Sequence, residues 1–181
     1  MQAGSLRYIM KITTDRLIIT RFTLEDAPFV FELLNTPAWI QNIGDRGVHT
    51  LDDARNYIIE KYFPCYEKDG FGAYKVILKE SGETIGTTGF FRREGLDDVD
   101  AGFAFLPDYE GLGYAYESTR AVLDYELERH DFQKILAITL PINQRSINLL
   151  KRLGFVYDKI IRLPNDDEDL ELYVLEISPS E

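Results

Sequence analysis

A single mixed α/β domain is predicted, with helices packed on the faces of one mixed sheet, and three features of the chain predict it. Two β-branched runs, Ala73–Lys79 and Thr84–Arg92, flank a Ser81-Gly82 turn and read as a hairpin. Residues 100–140 alternate a strand, an amphipathic helix and a second strand, the pattern of a crossover between parallel neighbours. A final pair of strands closes the chain, and neither an internal repeat nor a linker breaks the order. A length of 181 residues suits one core, so the domain is expected to occupy residues 1–181, and 11 Phe with 11 Tyr supply bulky core material.

Along the chain, Arg16-Leu17-Ile18-Ile19-Thr20-Arg21 is a β-branched run bounded by charge, an edge or near-edge strand. Thr23 stands three residues before Asp26 in the manner of a capping box, and Ala27, Val30, Phe31 and Leu34 follow at helical spacing. Thr50 and Asp53 repeat that start ahead of Ala54, Tyr57 and Ile58. The intervening stretch Asn35–His49, with Pro37, Gly44 and Gly47, is long for a connection inside one domain, and such loops often face a ligand.

After the hairpin and the acidic turn Gly95–Asp98, the strand Asp100–Leu106 leads through Pro107 into a glycine-containing turn and a helix. Ala115, Thr119, Val122, Leu123 and Leu127 share one face of that helix, opposite Glu117, Arg120, Asp124 and Glu128. Ile135–Leu140 is almost wholly apolar and reads as a buried strand. Asn143 can cap the next helix, which turns Ile147, Leu150 and Leu153 inward and stops at Gly154, with Phe155 closing its end. The closing strands, Val156–Arg162 and Leu170–Ile177, flank the acidic turn Pro164–Asp169.

Composition narrows the function. A net charge of −11 argues against binding nucleic acid through its phosphates, which needs clustered Lys and Arg, and fits a cationic acceptor better, although acidity also serves solubility alone. No run approaches the roughly 20 apolar residues that span a bilayer, and the opening MQAGSLRYIM lacks a signal-peptide core, so a cytoplasmic protein without membrane contact is expected. Cys65 is the only cysteine, and His49 and His130 form no zinc-like cluster with it, so no metal is expected.

The segment Glu110-Gly111-Leu112-Gly113-Tyr114-Ala115 carries the most chemistry. Glycines let backbone approach an anion, and the free N–H groups and dipole of a helix start favour negative charge, so a phosphate suits this turn. A dinucleotide fingerprint is excluded because Tyr116 occupies its third glycine position, and a P-loop is excluded because Gly-Lys-Ser/Thr is absent.

Here the sequence resembles the GCN5-related N-acetyltransferase (GNAT) family, in the branch that includes the RimJ/RimL-type protein acetyltransferases. The family's pyrophosphate loop, Q/R-x-x-G-x-G/A, falls on Glu110 to Ala115, with Gly113 and Ala115 matching and Glu110 departing from Gln or Arg. Asn143-Gln144-Arg145-Ser146 through Lys151-Arg152-Leu153-Gly154-Phe155 is similar to the family's N-x-x-S and terminal K-x-G-F region, and Gly82 to Gly89 resembles its central hairpin. The likeness runs from about Thr14 to Ile177.

The resemblance implies a mostly antiparallel mixed sheet that splays where acetyl-coenzyme A binds. It implies that the backbone of Phe103, Ala104 and Phe105 pairs with the pantetheine arm, their side chains staying in the core. The amides of Gly111, Leu112, Gly113, Tyr114, Ala115 and Tyr116 would hold the pyrophosphate. Asn143 would contact the cofactor near the thioester or act only as a helix cap, and Lys151 and Arg152 would meet an outer phosphate or simply be solvated. Asp100 matches the family's acid on the strand before the loop and would take the proton of the amine, unless it is only a surface acid at a strand start. The Tyr that many members carry seven residues after the Asn is Leu150 here, which leaves Ser146 or water to protonate the departing thiolate, or Ser146 to serve only the first helical turn.

In the resemblance the Asn35–His49 loop covers the acceptor site, which nominates Trp39, Asn42 and Arg46, beside Asp45 and His49, for acceptor binding; the other reading packs Trp39 against the first helix. The implied reaction is direct attack of a primary amine on acetyl-coenzyme A, the amine belonging to a protein N-terminus or to a small molecule. A non-catalytic acetyl-coenzyme A sensor is the alternative, and a homodimer is left open.

Overall fold

The computed structural model describes residues 10–178; apart from Met10, the opening decapeptide lies outside them. Eight strands form one sheet in the order β1-β2-β3-β4-β5-β6-β8-β7: β1 (Lys11–Thr13), β2 (Leu17–Arg21), β3 (Ala73–Leu78), β4 (Thr84–Phe91), β5 (Asp100–Phe105), β6 (Lys134–Thr139), β7 (Val156–Ile161) and β8 (Leu170–Glu176). Every pairing is antiparallel except β5 with β6. The run at Leu17 is therefore one strand in from the edge, and β1, which sequence reading did not find, forms the edge itself. Three residues carry too little periodicity to announce a strand. At the other end β8 inserts between β6 and β7, so the closing pair is a hairpin whose second strand lies inside the sheet.

The helices begin where the side chains can cap them. Thr23 and Asp26 form a capping box ahead of a 3₁₀ turn and α1 (Ala27–Leu34), and Thr50 and Asp53 form another ahead of α3 (Leu51–Tyr57). α3 passes through a π turn, Ile58–Tyr62, into α4 (Phe63–Lys68), a longer helical stretch than the spacing of its first residues suggested. The 35–49 connection is not a plain loop: Thr36 accepts the Trp39 amide and Pro37 occupies the first helical position, which starts the short helix α2 (Pro37–Asn42). α5 (Tyr114–Leu127) follows the glycine turn, and α6 (Gln144–Arg152) is capped by Asn143, whose Oδ1 accepts the Ser146 amide at 3.2 Å.

One apolar core joins both ends of the described chain, with Leu17, Tyr74, Ile85, Phe90, Leu123 and Ile135 among its fully buried members. α5 buries Thr119, Val122 and Leu123 as its periodicity predicts, and it also buries Glu126. The Tyr74 hydroxyl donates to that carboxylate at 2.5 Å and His130 Nε2 lies 3.2 Å from its other oxygen, so the buried acid has partners on both oxygens. Burial pushes the Glu126 carboxyl up from its usual range.

Candidate active site

The site follows from how β5 and β6 meet. Two parallel strands need slanted bonds along their whole length, yet these share a single register pair, Asp100 opposite Leu136, anchored by the Leu136 amide donating to Val99 at 2.8 Å. Past Asp100 the strands diverge toward their C-terminal ends. β5 remains paired to β4 on its other side, Gly86 to Phe105 and Phe91 to Asp100, so the residues after Asp100 present an unpaired backbone edge to the gap. Such a separation of parallel strands at their carboxyl ends, with a helix start on either side, is where α/β sheets take ligands.

On the α5 side the wall is backbone. Gly111 and Gly113 have φ of 74° and 85°, and Gly113 is the N-cap of α5. Tyr114, Ala115 and Tyr116 form the first turn and have no carbonyl four residues back within the helix, and among the described residues the amides of Gly111, Leu112 and Gly113 donate to no protein acceptor. Six consecutive N–H groups, Gly111 to Tyr116, are thus available at the positive end of a 14-residue helix.

Side chains hold this turn from outside. Arg16 Nη1 donates to Leu112 O at 3.0 Å, its Nε pairs with Glu117 at 2.7 Å, and its guanidinium lies over the Tyr114 ring at 4.4 Å. Glu110 at the head of the turn pairs with Arg145 of α6. Arg152 lies over Tyr116 at 3.9 Å, while Lys151 is exposed. Leu150, at the position of the family's tyrosine, is 1% exposed and packs in the core.

On the other side, between β5 and α2, lies a cavity of about 630 Å³ whose wall includes Trp39, Asn42, Arg46, Asp100, Phe103 and Ala104. The structure thus brings all three acceptor candidates together with the candidate base. Asn42 spends its Nδ2 on Ala38 O at 2.9 Å, leaving its carbonyl oxygen for other contacts. Asp45 and His49 are not part of this wall: Asp45 accepts the Gly47 amide, and the His49 backbone amide donates to Asp53. Phe105 is core as expected, its ring seated where a Cβ on Gly86 would be, whereas Phe103 and Ala104 are half-buried and form cavity wall. Strand alternation separates Phe105 from Ala104, and the gap beside β5 exposes what a paired neighbour would have covered.

Asp100 is not a surface acid. It is 1% exposed, Arg93 approaches its Oδ2 with Nε and Nη2 at 3.2 Å each, and its Oδ1 has no protein partner. Burial raises its carboxyl to about 6, with Arg93 pulling the other way. A second buried polar atom on this wall, Trp39 Nε1, is also without a partner. Three buried side-chain atoms lack a partner among the described residues; Arg21 Nε is the third, and the other two belong to residues lining this cavity. Asn143 and Ser146 stand apart from this wall, at the start of α6 on the far side of the gap.

Sequence reading missed Arg93 and Tyr57. Both line the cavity, Arg93 through the hairpin register that sets Phe91 opposite Asp100. That register was the available signal for Arg93; for Tyr57, on α3, none was.

Comparison with known proteins agrees with this geometry. The family model described as an acetyltransferase (GNAT) domain matches residues 16–156. The uncharacterized N-acetyltransferase YnaD of Bacillus subtilis is 30% identical over 145 residues, 80% of this chain and 82% of its own. A GNAT-family acetyltransferase from Bacillus anthracis has the same fold at a TM-score of 0.75 and 25% identity, over 92% of this chain and 98% of its own. RimL, a ribosomal α-N-protein acetyltransferase solved in complex with coenzyme A, shares the fold at a TM-score of 0.80 and 18% identity, over 93% of this chain and 98% of its own. A strand pair that opens at Asp100, a glycine turn with free amides and a family match spanning both together show that the chain belongs to the GNAT acetyltransferase family.

Proposed function

We propose that this chain is one N-acetyltransferase domain that transfers an acetyl group from acetyl-coenzyme A to a primary amine by direct attack, with Asp100 as the base that takes the amine proton. The observation that carries the reading is Asp100 itself: a buried carboxylate at the closed end of the gap, on a residue that lines the cavity, with one oxygen held by Arg93 and the other without a partner among the described residues.

The residues fit the cosubstrate. Gly111 to Tyr116 offer amides to a pyrophosphate, and the unpaired edge of Phe103 to Phe105 suits an amide-bearing arm laid along β5. When bound, acetyl-coenzyme A supplies the thioester; the protein supplies position and proton transfer. An ammonium has no lone pair, and a model amine titrates near 10, about four pKa units above Asp100, so a full transfer would cost roughly 5 kcal/mol in water. The cavity reduces that gap from the amine side as well, because Arg93 and the aromatic walls disfavour an ammonium there. Asn143 and Ser146, near the start of α6, are the chain's candidates for the thioester end, with the Ser146 hydroxyl or water returning a proton to the thiolate.

The test is kcat/KM against pH for the wild type and Asp100→Asn. The wild type loses activity as pH falls through about 6, where Asp100 becomes protonated. Asp100→Asn is slower by on the order of 100-fold, and its profile lacks that acidic limb. A near-normal rate with an unchanged limb removes Asp100 from the chemistry. Binding of acetyl-coenzyme A without turnover of any amine returns the reading to a sensor.

A further inference from the structure

The chain carries 31 acidic and 20 basic side chains, so cations left without a carboxylate on the exposed part of a cavity wall stand out against its overall charge. Two of them line this cavity. Among the described residues Arg46 and Lys61 pair with no carboxylate, whereas Arg92 is matched by Asp69 at 3.3 Å and Arg93 by Asp100. Arg46 comes from the turn after α2 and lies near the hydroxyl of Tyr57 on α3, as does Arg93. Tyr57 also lines the cavity, and among the described residues its hydroxyl makes no hydrogen bond. The Trp39 indole N–H is buried with almost no accessible surface, so Trp39 gives this wall its ring rather than a donor. An unpaired guanidinium and an unpartnered hydroxyl on one cavity wall suit an anion with oxygen atoms.

Resting on the acetyltransferase reading above, we infer that the acceptor is a free amino acid: its carboxylate is held by Arg46 with the Tyr57 hydroxyl, and its amine faces Asp100. The two acids that also reach the cavity, Asp166 and Glu168, stand exposed on the β7–β8 turn. Asp100 repels a carboxylate and Arg46 attracts one, which favours this orientation over the reverse. Ile40, Ile43, Phe91 and Leu163 make much of the remaining wall apolar, so the side chain is an apolar or aromatic one. A polyamine has no group for the Arg46 side, and would bring a second cation to it.

The experiment measures coenzyme A release with the full-length protein and a matched panel: L-phenylalanine, L-leucine, their amides, phenethylamine, spermidine, and a peptide with a free N-terminus. The amino acids are expected to exceed their amides and phenethylamine in kcat/KM by on the order of 100-fold. Arg46→Gln shrinks that preference at least tenfold, through KM, while the Kd for acetyl-coenzyme A stays near the wild-type value. Tyr57→Phe, which removes only a hydroxyl, moves it the same way by a smaller factor. Equal or better turnover of phenethylamine, spermidine or the peptide overturns the inference and leaves acetyl transfer to an amine standing. A protein that acetylates nothing in the panel overturns the inference and the amine-acceptor reading together.

Discussion

The two sides of the gap after Asp100 are made of different material. The α5 side consists of backbone amides arranged by two glycines in left-handed conformations, with side chains such as Arg16 bracing the turn from behind. The α2 side consists of side chains, an acid, a guanidinium, an indole and a phenol, brought from four separate segments. Backbone presents the same donors whatever the sequence, so it suits a ligand common to a whole family. Side chains change one at a time, so they suit the ligand that distinguishes its members. The difference teaches where substitutions should bite: conformation on one side, charge on the other.

The largest effect is expected on the backbone side. Gly113→Ala should weaken acetyl-coenzyme A binding by on the order of 100-fold, since a Cβ strains the left-handed backbone, φ 85°, that presents the amides of this turn. Gly82 in the β3–β4 turn has a similar φ of 76° with open space around it, so Gly82→Ala should cost similar stability and leave the cofactor Kd unchanged. Isothermal titration and thermal melts on both variants separate strain from binding. Matching Kd values would break the comparison.

Next is a stability effect on the side-chain side. Because the folded carboxyl of Asp100 is raised to about 6 from an ordinary 3.8, the native state binds the extra proton between those values and the wild type loses stability as pH rises through that window. Asp100→Asn carries no such charge. It should be more stable than the wild type at pH 7 by on the order of 2 kcal/mol, with the advantage vanishing below about pH 4, in denaturant titrations at the two pH values. No advantage at pH 7 would mean that Arg93 fully offsets the burial.

The smallest effect is expected at Ser146. Its amide is engaged with Asn143, and its hydroxyl lies off the acceptor wall, so Ser146→Ala should lower kcat by on the order of tenfold, about 1.4 kcal/mol. A coenzyme A thiol is acidic enough, near the 8.5 of a free cysteine, to leave without a dedicated acid. A loss as large as that of Asp100→Asn would make Ser146 the proton donor and shift weight to the α6 side of the gap.

Most strands and helix starts were legible. The hairpin Ala73–Leu78 with Thr84–Phe91, the helix after Gly113 and the Asn143 cap all lie where alternation, periodicity and capping residues put them, because each is decided within a few neighbours. The exceptions have the same cause. β1 is three residues that form a strand only by pairing with β2, and Glu126 is buried where Tyr74, 52 residues away, donates to it; neither is written in the segment's own periodicity.

What the sequence determined by itself about this protein is its backbone chemistry: a strand ending in a turn with Gly111 and Gly113, then a helix whose first amides are free. Glycine at those positions has no side chain to be influenced by distant residues, so the motif reads directly. Only the tertiary structure decided where Asp100, Arg46 and Arg16 stand and what they touch. Asp100 is an ordinary acid until β4, β6 and Arg93 enclose it, and Arg16 braces the α5 turn through Glu117, 101 residues away. A side chain takes its charge state and its partners from the field and the water it meets, and those are set by elements that only folding brings together.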